Sequence, residues 1–310
     1  MVVEVKNLVK RYDRLIALDH LDFAIEKGEV FGILGPSGSG KTSLINCMLS
    51  LLKLDKGIVK IFGKEMSLSA NDVKQKLGVV MQYPAVFNEL TVAENISYFC
   101  SLYIANKNEV RRLTNDAMLF LALENFAGFY PSKLSAGLLS RLNIACGIAH
   151  KPELVFIDEP TYSVDPQSRN KILECIKTLN EMGVTILYSS HYMEEVELLC
   201  DRIAMINKGK LVACGTTDEL KDMISLGEKI TVEAFHLSED QMEDIKRIPN
   251  VSSAFYEDNK LRISSKKGKN NLIYILDYLQ KNDIQFGKIY TEMPTLNDVF
   301  LEITGKGLQD

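Results

Sequence analysis

The octapeptide Gly35-Pro36-Ser37-Gly38-Ser39-Gly40-Lys41-Thr42 decides the fold. It follows the almost wholly apolar run Val30 to Leu34, which reads as a strand covered on both faces. It precedes "SLINCML", which has helical spacing and starts at Ser43. Strand, glycine-rich turn and helix in that order fit the phosphate-loop pattern GxxxxGK[ST]. The glycines let successive backbone N–H groups turn inward toward phosphate oxygens, and the helix adds its positive end. In such a loop a lysine, here Lys41, reaches the terminal phosphates, and a hydroxyl, here Thr42, takes a place on Mg²⁺.

A phosphate loop needs an acid at the end of a neighbouring strand. "LVFIDEP" supplies Asp158 for the Mg²⁺ shell and Glu159 beside it to polarise a water for in-line attack. Two adjacent acids closing an apolar run are otherwise costly to place beside a core. The surrounding pattern is parallel α/β. "VTILYSSH" reads as another buried strand, and "SRNKILECIKTLNEMG" as a helix closed by Gly183. "RIAMINKGKLVACG" reads as a hairpin turning at Gly209. Residues 1–33 read as strands, and the stretch from about 91 to 151 turns helical, opening with a capping box at Thr91 and Glu94.

After "DELKDMISLGEK" the style changes to a β-α-β-β-α-β pattern closed by a short helix. We expect a first domain over 1–224, with a helical subdomain at about 84–151, and a small α+β domain over 228–310. The basic run "KKGKNN" at 266–271 reads as a solvated turn.

Composition excludes several classes. The chain has 310 residues, ordinary globular hydrophobic and charged fractions of 46% and 25%, and a net charge of −5. That balance is unlike the basic excess of nucleic-acid binders. The six cysteines form no CxxC pair and sit in apolar segments, as packing residues in a reducing compartment do. The N-terminus lacks a signal-peptide core. The most apolar stretch, 44–54, falls short of the ~20 residues of a membrane span.

One motif makes sense only beside the others. "LSAGL", Leu134 to Leu138, just upstream of "VFIDEP", is a worn glycine motif at a helix start. Together with the phosphate loop it resembles the ATP-binding subunits of ABC transporters, over residues 2 to about 222. The fold implied is a P-loop ATPase cassette with a mostly parallel core sheet, an antiparallel N-terminal β subdomain and a helical subdomain. In that family two cassettes dimerise head to tail, and ATP is held between the phosphate loop of one and the signature motif, usually LSGGQ, of the other. The resemblance therefore assigns ATP and Mg²⁺ as cofactors. It places Gly35 to Ser43 on the phosphates and Ser135 and Gly137 on the γ-phosphate of the opposing site. It places Tyr12 on adenine, Gln82 near Mg²⁺ and the attacking water, Asp165 in the loop crossing the dimer interface, and His191 on the γ-phosphate.

The sequence departs from the pattern where Ala136 replaces the first signature glycine and Leu138 the glutamine. Leu139-Ser140 stand where a basic residue is usual, with Arg141 following. A weakened but usable signature is expected. The segments "SSHYMEEVELLCDRIAMINKGKLVACGT" and "PTLNDVFLEITGKG" resemble the multidrug and antibiotic exporter branch. Its partners would be a membrane-spanning permease, touching Tyr83, Pro84, Ala85, Val86 and Phe87 with the following "NELTVAEN", and a second ATPase subunit, with no nucleic acid. Its place would be cytoplasmic, on the inner face of the membrane. The alternatives are a soluble ABC protein of DNA repair or the ribosome, an importer ATPase, or a partly degenerate subunit of a heterodimer. Only about 90 residues separate the phosphate loop from the signature, without sustained heptads, and there is one phosphate loop.

Overall fold

The computed structural model describes residues 1–267 and 271–305. The chain forms two compact units, Met1–Thr216 and Thr217–Asp310. The first is built on two sheets. β1 (Val3–Tyr12), β2 (Leu15–Ile25), β4 (Lys56–Ile61) and β5 (Lys64–Glu65) form an antiparallel sheet in the order β2-β1-β4-β5. β3 (Val30–Leu34), β6 (Leu77–Val80), β7 (Leu154–Asp158), β8 (Thr185–Ser190), β9 (Arg202–Asn207) and β10 (Lys210–Gly215) form the central sheet in the order β10-β9-β3-β8-β7-β6. All its pairings are parallel except β9 with β10. β3, β7 and β8 are buried at every position, which explains their lack of alternation in sequence.

Helices α1 (Lys41–Met48), α2 (Asn71–Lys74), α3 (Val92–Ser101), α4 (Lys107–Phe120), α5 (Ala136–Ile148), α6 (Pro166–Glu181) and α7 (Met193–Leu199) complete the unit. α1 packs against strands of both sheets, so Leu44, Ile45 and Met48 share one core with Leu8, Leu21, Phe31 and Phe156. α3 begins at the Thr91–Glu94 capping box. α3, α4 and α5 pack on one another as the helical part. In the turn between β9 and β10, Gly209 has a φ of 76°, and a Cβ there would lie 2.4 Å from the carbonyl oxygen of Ala17. The cysteines carry no disulfide; Cys47, Cys100, Cys146 and Cys200 are buried packing residues.

The second unit contains α8 (Thr217–Asp222), β11 (Leu226–Ala234), α9 (Glu239–Arg247), β12 (Val251–Glu257), β13 (Lys260–Lys266), α10 (Leu272–Lys281), β14 (Phe286–Glu292) and α11 (Leu296–Thr304). Its sheet is antiparallel in the order β12-β13-β11-β14. The β-α-β-β-α-β run folds over a core of Ile230, Val232, Leu261, Ile263, Ile275 and Leu279. The unit begins at Thr217, earlier than the 224–228 boundary read from sequence, because α8 packs on α11. The run at 266–271 and the final residues of the terminal motif fall partly outside the described residues.

Candidate functional site

The central sheet brings three strand ends together. β8 lies between β3 and β7, so the segments after these neighbours converge at one edge. The loop after β3 runs from Gly35 to Gly40 into α1. Gly40, the residue before α1, has a φ of 111°, and no side chain caps that helix. The first N–H groups of α1 are thus free of a competing side-chain acceptor, the condition for binding an anion at a helix start. Gly35 is needed for space: a Cβ there would meet the Ile206 carbonyl oxygen at 2.3 Å and Ser39 Oγ at 2.6 Å. Ser39 Oγ is buried without a hydrogen-bond partner.

Lys41 is almost fully buried. Its Nζ donates to the carbonyls of Gly35 (2.7 Å) and Pro36 (3.1 Å) and pairs with Glu159 Oε1 at 3.0 Å. Thr42 Oγ1 donates to Asp158 Oδ2 at 2.7 Å, and Ser189 Oγ donates to Asp158 Oδ1. Burial pushes the Asp158 carboxyl above its usual range, and those two hydroxyls pull it back. Glu159 sits in the left-handed region at φ 44°, and its N–H reaches the Ser189 carbonyl. Glu159 Oε2 lies 2.9 Å from His191 Nδ1 and accepts from Gln82 Nε2 at 3.4 Å. At the rim, the hydroxyl of Tyr12 is 3.4 Å from Ser43 Oγ, and Tyr12 is 42% exposed.

Gly35 to Ser43, Gln82, Asp158, Glu159 and His191 therefore form one site, with Tyr12 beside it. Ser135, Gly137 and Asp165 lie elsewhere. Among the described residues, no hydrogen bond or ion pair joins them to the phosphate loop. Ser135 caps α5 by accepting from Leu138 N at 3.3 Å. Asp165 caps α6 by accepting from Ser168 N at 2.9 Å, which holds its carboxyl below the usual range. Gly137 joins the two helix starts, since a Cβ there would lie 2.3 Å from Ser168 Cβ. Ala136 is exposed at the first position of α5. Arg141 is drawn away from the helix start: its Nη1 donates to the Leu121 carbonyl at 3.1 Å, behind α4.

Sequence reasoning missed three residues. Ser189 fixes Asp158. Asn143 on α5 donates to the Met81 carbonyl at 2.8 Å, anchoring the segment that carries Gln82. Glu195 on α7 is buried, although "MEEVELL" offered no way to separate it from exposed Glu194.

The donor set suits a hard divalent cation, because Thr42 and Asp158 present two oxygens within hydrogen-bonding distance of each other. It also suits a polyphosphate, because buried Ser39 Oγ, the uncapped start of α1 and Lys41 line one loop.

The ABC transporter family model matches residues 18–162. The linearmycin resistance ATP-binding protein of Bacillus subtilis is 32% identical over 311 residues, covering 100% of both chains. The chain belongs to the ABC transporter ATP-binding proteins. A second model, the C-terminal domain of DrrA1-3-like ATP-binding proteins, matches residues 215–304 of this ABC protein. The daunorubicin/doxorubicin resistance ATP-binding protein of Streptomyces peucetius is 30% identical to it over 99% of this chain and 94% of its own. A dimeric ATP-binding cassette in a post-hydrolysis state with ADP and Pi superposes with a TM-score of 0.64 at 28% identity, over 69% of this chain and 98% of that one. Among the described residues, no helix of the ABC protein is long and apolar enough to cross a membrane.

Proposed function

We propose that this ABC ATPase holds ATP between its own phosphate loop and the signature helix of a second cassette, and passes the closure to a membrane permease. ATP with Mg²⁺ is the substrate, and hydrolysis powers an exporter of drug-, antibiotic- or lipid-like molecules. The relatives that extend over the whole chain, C-terminal unit included, carry resistance and export names, which supports export over import.

One observation carries the two-cassette reading. The phosphate-loop half of the site is assembled within the chain, whereas Ser135, Gly137 and Asp165 gather at two other helix starts. A second copy, or a related cassette, supplies to each phosphate loop what the chain does not bring to its own.

Within one site the roles follow from position. The free N–H groups at the start of α1 and the Lys41 ammonium take the phosphates. Thr42 and Asp158 would hold Mg²⁺, which when bound offsets charge on the phosphate oxygens. Glu159 accepts the proton of the attacking water, with Gln82 and His191 on its Oε2. Tyr12 offers an exposed ring to adenine. The exposed side chains of Tyr83 and Phe87, on the loop after Gln82, are the proposed permease contact. Asn95 fixes that loop, bonding the N–H and carbonyl of Phe87.

The test is the size of the full chain by light scattering in MgATP, in a Glu159→Gln background that slows turnover. A dimer is expected only with ATP. Adding Ser135→Arg should return a monomer that still binds one ATP. A Ser135→Arg chain that dimerises as before refutes the shared site.

A further inference from the structure

Outside the proposed ATP site, the carboxylate of Glu195 accepts three side-chain hydrogen bonds and pairs with an arginine. It is 2% exposed on α7, and both oxygens are engaged. Oε1 accepts from Thr161 Oγ1 at 2.6 Å and pairs with Arg169 Nε at 3.4 Å. Oε2 accepts from Tyr188 OH at 2.7 Å and from Ser190 Oγ at 2.8 Å. Burial beside this acid drives the Tyr188 hydroxyl well above its usual range, so it stays a proton donor. A buried carboxylate is tolerated only with such a set of donors.

The partners are not scattered. The pleat of β8 divides its last residues between two carboxylates: Ser189 turns to Asp158, while Tyr188 and Ser190 turn to Glu195. Thr161 lies two residues after Glu159, and Ser190 immediately precedes His191. Ser190 Oγ also accepts from Tyr192 N at 2.9 Å, which fixes the turn carrying His191. Arg169 continues the chain of contacts. Its guanidinium lies 4.3 Å from the Tyr192 ring centre, and that ring lies 4.0 Å from the His191 ring. Arg169 is also on the first turn of α6, where its N–H bonds the Asp165 carbonyl. One acid thereby ties together the segments bearing Glu159, His191 and Asp165.

We propose that Glu195 is a positioning residue for ATP hydrolysis. Its Oε1 holds the segment after Glu159, its Oε2 holds the strand end before His191, and together they set the 2.9 Å approach of His191 to Glu159. The inference rests on the site roles given above for Glu159 and His191. Every hydroxyl around Glu195 donates to it. The amide of Glu195→Gln keeps the volume but turns one acceptor into a donor, facing either Thr161 and Arg169 or Tyr188 and Ser190.

The experiment is steady-state ATP hydrolysis and ATP binding by the full chain carrying Glu195→Gln, His191→Ala or both. Glu195→Gln is expected to lower kcat at least tenfold, with KM for ATP within twofold of the parent. A residue that only supported the fold would lower the melting temperature and active fraction, not kcat per folded molecule. Because Glu195 acts by setting the approach of His191 to Glu159, an approach that His191→Ala abolishes, the double variant should be no slower than His191→Ala. A folded Glu195→Gln chain with unchanged kcat, or losses that multiply in the double variant, overturns the proposal. Should Glu195→Gln fail to fold, Thr161→Val removes one donor at constant shape and decides the matter. A threefold to tenfold fall in kcat at constant KM supports the proposal, and an unchanged kcat refutes it. If Glu159→Gln and His191→Ala are themselves fully active, the site reading falls instead. If both are slow while Glu195→Gln is not, only the role of Glu195 falls.

Discussion

On the proposed role of Glu159, replacing it by Gln should separate chemistry from binding. In the structure Glu159 Oε1 pairs with Lys41 at 3.0 Å, and Oε2 meets His191 at 2.9 Å and Gln82 at 3.4 Å. The amide keeps the volume but has no charge and a far weaker affinity for a proton. A positioned general base contributes about 10²–10⁴ in rate, which is about 2.7–5.4 kcal/mol of barrier at 1.36 kcal/mol per decade. The binding term has the opposite sign. A Lys–Glu pair at that distance attracts by about 5.5 kcal/mol at an effective dielectric of 20, before the cost of desolvation. On the proposed role of Lys41, incoming phosphates would compete with this pair for it, so neutralising Glu159 should free the lysine. Glu159→Gln is thus expected to lower kcat by about 10²–10⁴ and to leave the Kd for ATP unchanged or tighter. Single-turnover hydrolysis of radiolabelled ATP measures the first, and equilibrium titration with ATP measures the second. Hydrolysis within twofold of the parent refutes the assignment of the base. A matching loss of affinity refutes the claim that Glu159 competes for Lys41.

Three further outcomes are expected. Lys41→Ala removes the buried ammonium from the phosphate loop and should abolish ATP binding at concentrations that saturate the parent, read by equilibrium titration. Gly137→Ala places a methyl group 2.3 Å from Ser168 Cβ and should destabilise the first unit by about 1–3 kcal/mol. At about 2–4 °C per kcal/mol this is visible in calorimetry; an unchanged melting temperature sinks the packing argument. His150 is stacked on Tyr103 at 3.7 Å, its Nε2 bonds the Leu77 carbonyl, and burial lowers its pKa from 6.5. The unfolded chain then binds a proton that the fold resists, so stability is present above about pH 6.5 and is lost as pH falls below it. His150→Gln should flatten the fall of melting temperature between pH 7 and pH 5; an equally steep fall excludes His150 as its source.

The phosphate loop was legible because all its chemistry lies in eight consecutive residues between two patterned elements. Asp158 and Glu159 were legible because acids closing an apolar strand are costly without a task. Glu195 was not, since its helix is short, acidic and amphipathic, and only tertiary packing separates Glu195 from Glu194. Nor could the pattern show that β2 and β3, joined by a turn of four residues, belong to different sheets. The α8 sequence does not reveal that its partner, α11, lies some 80 residues further on, so its grouping with the second unit was not legible. Arg141 follows the positions where a basic residue is usual, and the sequence did not show that the carbonyl of Leu121, at the end of α4, engages it.

The order β3-β8-β7 also has a consequence for synthesis. The ribosome releases the outer two of these strands first and the middle one last. Until residue 190 has emerged, the nascent chain carries the Gly35–Thr42 loop and Glu159 after strands whose shared middle lane is not yet filled. Entry of β8 closes that lane and delivers Ser189 and His191 in the same event. Nucleotide capture by chains stalled at successive lengths should therefore switch on in one step, when that strand clears the exit tunnel.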